Sequence, residues 1–108
     1  MATDVNYIDW HVVPFRADRW FGIWHPAMKR ALSYGALSCY LVRSEEDRLH
    51  FRQVSVWESR GDFERYWASD ELSALRQAAM TYYHKPVLNT WHTLVAGEIA
   101  AERVAQDA

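Results

Sequence analysis

Residues 53 to 59, Gln-Val-Ser-Val-Trp-Glu-Ser, mark the change from strand to helix that decides the fold. The strand begins upstream and covers 49–58, because the Phe, Val and Trp residues of this run are typical of β-structure. Ser59 has a side chain preferred at helix N-caps, and Asp62 follows three residues later, as in a capping box. The stretch therefore predicts a strand that leads directly into a crossover helix.

The flanking sequence places this strand third of four. Alternating apolar and polar side chains predict the other strands over 5–13, 36–43 and 89–96. Two helical regions separate the strands of this set. The order of elements is therefore strand, helix, strand, strand, helix, strand.

The first helical region covers 17–34 and ends at Gly35, a natural C-cap. Pro26 lies inside it and is expected to kink the helix or to start a new one. The second region runs from 59 to about 83. A second N-cap occurs at Ser69, so we expect a helix, a break and another helix.

This βαββαβ order, with right-handed crossovers on one antiparallel sheet, predicts a ferredoxin-like α+β fold. Helices can cover only one face of such a sheet. The alternation leaves apolar residues on the other face too, and a monomer would expose more apolar area than is usual. We therefore expect a homodimer that packs through the uncovered sheet face. Residues 1–97 are expected to form one domain and 98–108 a C-terminal tail.

The composition excludes several classes of function. The chain has 108 residues and a net charge of -2, with 12 basic and 14 acidic residues well mixed. This balance lacks the excess of positive charge that is typical of proteins that bind nucleic acid or an anionic membrane. Cys39 is the single cysteine, so no internal disulfide can form, and it reads as a small apolar strand residue. A soluble cytoplasmic protein is expected.

Aromatic residues are unusually abundant, with six Trp, six Tyr and four Phe. Some of them will form the core of the domain. A core of this size rarely needs them all, and aromatic residues also concentrate at subunit interfaces and in ligand pockets. We therefore expect a large core together with an interface or a pocket for a small aromatic ligand.

The central stretch also carries a resemblance to a known family. The run Val54-Ser-Val-Trp-Glu-Ser59, an aromatic residue at Phe63 and the Ser69-Asp70 step resemble the antibiotic biosynthesis monooxygenase domain. The resemblance covers residues 5–97. Members of that family form dimeric α/β barrels, which agrees with the homodimer expected from the apolar patterning.

The resemblance implies a small-molecule function without choosing one activity. Some members oxidise polyketide-like aromatic compounds without metal or flavin, some bind and degrade haem, and related barrels only bind ligands. The haem branch has a second Trp about nine residues after the shared one and a haem-ligating His about 18 or 19 residues after it. Those positions hold Tyr66, Leu75 and Arg76 here. Haem is therefore the alternative to a reaction without cofactor.

Asp9 and His11 are the candidate catalytic pair. They lie two positions apart on the first strand and so share a face, and the resemblance implies that this face holds the helix-covered ligand pocket. A carboxylate beside an imidazole makes it a better base near neutral pH, so we expect His11 to deprotonate a phenol-like substrate while Asp9 orients it. The structural alternative pairs Asp9 with Arg43 or Arg52. His50, beside the hairpin, is expected to be exposed.

Aromatic and basic side chains on the helices and later strands are the candidates for substrate binding. We expect them to line a cleft between sheet and helices: Trp24, His25, Tyr40, Tyr66, Trp67, Arg76, His84 and His92. Adjacent helical residues point about 100° apart, so only one of Tyr66 and Trp67 should face the sheet. Arg76 would clamp an anionic substrate if it faces the cleft.

No metal site is expected, because no third ligand accompanies Asp9 and His11 at a suitable spacing. His92 would join His11 across the sheet if the strand pairing allows it. The sequence therefore favours a cofactor-independent monooxygenase acting on a small aromatic or polyketide-like substrate. A haem protein and a non-catalytic ligand-binding dimer are the alternatives, and an open cleft with His84 or His25 facing inwards would favour haem.

Overall fold

One four-stranded antiparallel sheet organises the molecule, whose computed structural model describes residues 4–97. Strand β1 (Asp4–His11) pairs with β3 (His50–Trp57) on one side and with β4 (Leu88–Thr93) on the other, and β3 also pairs with β2 (Ala36–Arg43). The strand order is β2-β3-β1-β4. This is the ferredoxin-like α+β arrangement, so the predicted fold is confirmed.

The helices lie on one side of this sheet. Between the strands the chain forms α1 (Ala17–Ser33), α2 (Arg60–Ala68), α3 (Asp70–Ala79) and a 3-10 turn (Met80–Tyr82). Among residues 4–97, none of these helices is both long and apolar enough to cross a membrane. The predicted tail, 98–108, lies outside the described residues.

Serine side chains start both helices of the second crossover, as predicted. Ser59 accepts a hydrogen bond from the backbone N–H of Gly61 at 3.1 Å, and Ser69 accepts one from Leu72 at 3.2 Å. These bonds satisfy backbone donors that have no partner inside the helix. The predicted break at Ser69 is therefore confirmed, and it gives α3 a direction different from that of α2.

The first helix continues through Pro26, so the expectation that a new helix starts there is wrong. Proline removes one helical hydrogen bond and crowds the carbonyl four residues earlier, here that of Gly22. Both residues lie on the exposed side of α1, so water can reach that carbonyl. The helix ends at Ser33, and Gly35 lies just beyond its C-cap residue, Tyr34. The φ of 114° at Gly35 requires glycine, and a Cβ there would lie 2.9 Å from Asp62 Oδ2.

The core fills the space between the sheet and the helices. Ile8, Trp10 and Val12 of β1 and its extension are fully buried there, and Trp10 contacts Trp20 and Trp24 of α1 at ring-centroid distances of 5.5 and 4.6 Å. Aromatic side chains are therefore the main filler of the core. This accounts for much of the unusual aromatic content.

A chain of buried polar groups ties α1 and α2 to the sheet. The indole N–H of Trp24 donates to Gln53 Oε1 at 2.7 Å, the Gln53 amide donates to the Tyr66 hydroxyl at 3.4 Å, and that hydroxyl donates to the Ala27 carbonyl at 2.7 Å. Burial raises the pKa of Tyr66, so its hydroxyl stays protonated and remains a donor. The chain fixes where both helices lie on the sheet.

Replacing Gln53 by Leu should lower the free energy of unfolding by about 1–3 kcal/mol, because the Trp24 indole N–H is then buried without an acceptor. Urea unfolding followed by circular dichroism measures this loss. Tyr66→Phe is the matched control: it removes one hydroxyl but leaves Trp24 its acceptor, so a smaller loss is expected. Equal losses in the two variants would contradict a special role for the Gln53 bridge.

Candidate functional site

Asp9 and His11 share one face of β1, as predicted, but it is the face away from the helices. The register places Asp9 opposite Arg52 and His11 opposite His50, whereas Trp10 between them packs against α1. The prediction that the pair faces the helix-covered cleft is therefore wrong. The purely apolar side of the strand takes the core, and the mixed side is left outside.

We call this uncovered side the open sheet face. Its polar members are Asp9, His11, His50, Arg52 and His92, and its apolar members include Val5, Tyr7, Tyr40, Val42, Val54 and Leu88. Several apolar side chains on it are exposed: Tyr40 to 51%, Val42 to 46% and Leu88 to 58%. An open face of this kind agrees with the apolar patterning expected from the sequence.

Asp9 is held by two basic side chains of β3. His50 Nε2 lies 2.6 Å and Arg52 Nε 2.9 Å from Asp9 Oδ1, and the carboxyl side chain is only 8% exposed. Desolvation acts to raise the pKa of Asp9, but the hydrogen bonds from Arg52 and His50 outweigh it and hold the pKa below its ordinary value. The structural alternative, in which Asp9 pairs with Arg52, is thus what the molecule contains.

His11 stacks on His50 instead of pairing with Asp9. The two imidazole rings lie 4.5 Å apart with an interplanar angle of 18°. Burial lowers the pKa of His11, and the positive charges of His50 and Lys85 lower it further. His11 is therefore neutral at pH 7, and the partner predicted to orient it is engaged elsewhere.

The lowered pKa of Asp9 predicts a loss of stability in acid. The folded carboxyl binds its proton less tightly than the unfolded one, whose pKa is about 3.9. Its contribution is complete above that pH and is lost as the pH falls through the folded pKa. Asp9→Asn should therefore flatten the pH dependence of the unfolding free energy below about pH 4. Urea titrations at several pH values measure it, and Asp18→Asn, at an exposed carboxyl, should keep the wild-type dependence.

A cleft of about 370 Å³ opens on the helix side of the molecule, where α2, α3, the 3-10 turn and the segment before β4 meet. Its lining combines aromatic, apolar and polar side chains: Trp67, Ser73, Arg76, Gln77, Met80, Tyr83, Pro86 and Val87. The volume falls in the range typical of small-molecule sites. Two of the predicted substrate-binding residues, Trp67 and Arg76, are brought together here.

Arg76 is the charged group of the cleft. Its guanidinium carbon lies 4.5 Å from the centre of the Trp67 ring, and Nη2 donates to the Trp67 carbonyl at 2.9 Å. Its Nε is buried and has no hydrogen-bond partner within residues 4–97. A buried donor without an acceptor costs free energy, so a ligand oxygen atom that reached Nε would remove that cost.

The two tryptophans and the tyrosine predicted for the cleft occupy different depths. Trp24 and Tyr66 are fully buried, whereas Trp67 is half-buried and its ring meets that of Trp24 edge-to-face, with centroids 5.9 Å apart. Tyr66 packs against Trp57 of β3 at 5.6 Å. Tyr66 therefore faces the sheet as core, and Trp67 forms the wall of the cleft.

Besides the buried Trp24 and Tyr66, four other predicted binding residues do not line the cleft. Tyr40 and His92 are on the open sheet face, His25 stacks on the ring of Phe21 along α1, and His84 is exposed beside the cleft wall. The predicted meeting of His92 with His11 is wrong, because His92 pairs with Val5, six residues from His11 along β1 and so about 20 Å away. No histidine is among the residues that line the cleft.

The roles of two residues, one on the open sheet face and one in the cleft, were not predicted from the sequence. His50 was expected to be exposed, but the hairpin brings it to Asp9 and leaves its side chain 26% exposed. Tyr83 was read only as the end of a helix, yet it lines the cleft. For His50 the sequence does contain a signal. His50 and Arg52 are two residues apart on β3 and so share a face, as Asp9 and His11 do on β1.

No group of three His, Cys, Asp or Glu side chains suited to a metal ion occurs in the described part of the chain. Burial raises the pKa of Cys39 to about 12, so its thiol stays protonated. A nucleophilic thiolate at that position is therefore not part of the site.

No model of a known protein family matches the chain, and no curated protein does either. Solved structures do. A protein of Nitrosomonas europaea has a TM-score of 0.80 at 11% identity, with 86% of this chain and 90% of that chain covered. One from Caulobacter crescentus CB15 has a TM-score of 0.79 at 13% identity, covering 88% and 92%. One from Bordetella bronchiseptica has a TM-score of 0.77 at 16% identity, covering 89% and 100%.

All three proteins are provisionally named as antibiotic biosynthesis monooxygenases. A conserved protein of Methanosarcina mazei Go1, which carries no such name, superimposes with a TM-score of 0.77 at 12% identity. At these identities the likeness establishes a shared fold. It agrees with the fold that the sequence resemblance implied, and the chemistry has to be argued from the cleft itself.

Proposed function

We propose that this protein is a cofactor-independent monooxygenase of the antibiotic biosynthesis monooxygenase type, which oxidises a small hydroxylated aromatic or polyketide-like compound in the helix-side cleft. The fold shared with proteins of that name supports the class. The observation that carries the proposal is Arg76, stacked on Trp67 in the cleft with a buried Nε that has no partner within residues 4–97. A flat aromatic ligand with an oxygen anion matches this pair of groups.

The role assigned to Arg76 is to favour the ionised form of the substrate. A guanidinium beside a phenol or enol stabilises its anion and so lowers its pKa. The anion is electron-rich enough to give an electron to molecular oxygen, which the neutral phenol is not. Aromatic walls such as Trp67 and Tyr83 would hold the ring in place and limit access of water.

The reaction balances without a cofactor because the substrate supplies all the electrons. A ring C–H of a phenol, or a CH₂ group of an anthrone, becomes a quinone carbonyl. The substrate loses four electrons and two hydrogens (both from the CH₂ group of an anthrone, or one from the ring C–H and one from the hydroxyl of a phenol). Dioxygen gains the four electrons, one oxygen atom enters the product, and the other leaves as water with the two protons. The product is a quinone.

The base in this proposal differs from the one predicted. His11 and Asp9 lie on the opposite side of the sheet from the cleft, and no imidazole lines the cleft. A substrate with an acidic phenol or enol would instead lose its proton to water once Arg76 stabilises the anion. The base role of His11 stays a prediction and would require the reaction to occur on the open sheet face.

Oxygen-electrode measurements with a panel of hydroxynaphthalenes and anthrones test the proposal. We expect one dioxygen consumed per quinone formed, no hydrogen peroxide, and unchanged rates in the presence of a metal chelator. His11→Ala should keep the wild-type rate, whereas loss of turnover in that variant would place the reaction on the open face. Binding of such compounds without oxygen uptake would make the protein a ligand-binding dimer.

Haem is the alternative occupant, and the cleft does not fit it well. The side chains able to ligate haem iron in the cleft are Met80 and Tyr83, and His84 next to them is exposed. A haemin titration followed at the Soret band tests this. We expect no saturable band. A stoichiometric band that is lost in His84→Ala would move haem binding to first place.

A homodimer through the open sheet face is also part of the proposal. Exposed Tyr40, Val42 and Leu88 lie on that face together with a nearly buried Val54. The carboxylate on it, Asp9, already has its two basic partners. A second copy can therefore cover the face without burying an unpaired carboxylate, and would remove apolar surface from water.

A further inference from the structure

Two buried indole N–H groups in the helix–sheet layer have no acceptor within residues 4–97. They belong to Trp10 and Trp20, both fully buried. The indole N–H of Trp24, in the same layer, is satisfied by Gln53 at 2.7 Å. Buried Trp donors usually find a partner, and one left without an acceptor costs free energy. The core thus contains two donors for which the described part of the chain supplies no acceptor.

Of these two indole rings, Trp10 is the one that contacts an aromatic side chain lining the cleft. The ring of Trp10 contacts that of Tyr83 edge-on, with centroids 5.1 Å apart, and Tyr83 lines the cleft. Trp20 instead contacts Phe51 at 4.7 Å and Trp10 at 5.5 Å, and it does not line the cleft. Tyr83 is therefore the cleft side chain that lies against the Trp10 ring.

The backbone beside Tyr83 is fixed, but its side chain is not enclosed. Val13 N–H donates to the Tyr82 carbonyl at 2.8 Å, and His84 N–H donates to the His11 carbonyl at 3.0 Å. The Tyr83 side chain is half-buried at the edge of the cleft. Rotation of the ring about its side-chain bonds would make room beside Trp10 without unfolding the segment, a change of a kind common on ligand binding.

We propose that the indole N–H of Trp10 is a second ligand-binding group of the cleft, which donates to a ring carbonyl oxygen of an aryl ketone or quinone once the Tyr83 ring has moved aside. The inference rests on the proposed function, since it assumes that Arg76 holds the anionic end of the same ligand. It deepens that function by naming the substrate class: flat polycyclic ketones with an acidic oxygen at one end.

The test compares two probes of the same outline and the same anion. Anthraquinone-2-sulfonate carries ring carbonyl oxygens, and anthracene-2-sulfonate does not. In the wild type we expect the quinone to bind up to about tenfold more tightly, the upper end for one neutral hydrogen bond. Trp10→Phe should bring the ratio close to one. Trp20→Phe, which removes an equally buried and equally unpartnered indole, should keep the wild-type ratio.

Indole N–H signals in a ¹H–¹⁵N spectrum give a second readout that needs no variant in the core. The chain has six tryptophans, and one indole signal, that of Trp10, should move downfield with the quinone probe but not with the anthracene probe. Its proximity to the Tyr83 ring protons assigns it. A shift of the Trp67 indole with both probes is expected, because that ring lines the cleft. Equal affinities for the two probes, or a downfield shift specific to the quinone at an indole other than Trp10, would overturn the role of Trp10.

The two proposals can fail separately. If neither probe binds, or if both bind without any dependence on Arg76, the cleft itself is not the ligand site. Both probes could instead bind in an Arg76-dependent way with equal affinity and without a quinone-specific shift of the Trp10 indole. The cleft would then remain the ligand site, and a hydrogen bond from Trp10 to the ligand would be excluded.

Discussion

Arg76→Met is expected to weaken the binding of anthracene-2-sulfonate by about 10- to 150-fold. The range follows from the loss of a hydrogen bond to a charged group, about 1.5–3 kcal/mol, with a factor of ten for each 1.4 kcal/mol. Methionine keeps much of the length and apolar contact of the arginine stem against Trp67. The loss should therefore reflect charge and hydrogen bonding more than shape, and it is measured by fluorescence titration of the probe.

A matched control comes from another arginine that stacks on a tryptophan. The Arg60 guanidinium lies 4.8 Å from the centre of the Trp91 ring, outside the cleft. Arg60→Met should leave probe affinity unchanged, although it removes the same kind of contact. Arg76→Lys should recover only part of the affinity, because an ammonium lacks the planar fork that stacks on the indole and binds an oxyanion with two donors. Equal affinities of Arg76→Met and wild type would contradict the assignment of the site.

The order of helices and strands could be predicted from the sequence because the helix ends carry capping residues and the strands alternate apolar and polar side chains. Ser59 and Ser69 cap helices, Gly35 ends one, and the alternation of the strands sets their faces. These signals are local, and they do not depend on what packs against them. Pro26 was the exception, because the cost of a proline depends on whether the freed carbonyl can reach water, which requires the position of the helix in the fold.

The site was harder to predict, because it depends on which of two strand faces meets the helices. The sequence showed that Asp9 and His11 share a face, and that Ile8, Trp10 and Val12 share the other, but the resemblance suggested the wrong one as the pocket. The apolar face is the one that the helices should cover, since burial of one indole and two branched side chains outweighs any polar pair. The pattern on its own thus contained the correct answer.

The cleft itself could be predicted only in part. Trp67 and Arg76 lie nine residues apart on separate helices, so their contact depends on the angle that the break at Ser69 introduces. Helical periodicity cannot supply that angle. Tyr83 lies in a segment whose position is set by backbone bonds to the end of β1, a long-range contact with no local signal.

Tyr40→Lys is expected to convert the proposed dimer to a monomer at micromolar concentrations. Tyr40 lies on the open sheet face opposite Val54 and is 51% exposed in one chain, so a lysine there costs the isolated chain little. In a face-to-face dimer the same ammonium would be buried near its symmetry copy and near Arg52, where an unpaired charge costs several kcal/mol. Light scattering coupled to size-exclusion chromatography measures the mass directly.

The matched control is Leu32→Lys on α1. Leu32 is an apolar side chain exposed to a similar extent, 56%, but it lies on the helix layer, away from the open face. It should leave the mass unchanged, which separates an effect of the face from a general effect of added charge. A monomeric wild type, or equal masses for Tyr40→Lys and wild type, would show that the open face is not the interface.

The cleft lies wholly on the helix side of the sheet. A monomeric Tyr40→Lys variant should therefore still bind anthracene-2-sulfonate with the wild-type affinity. The dimer would then serve to cover apolar surface, and it would not complete the site.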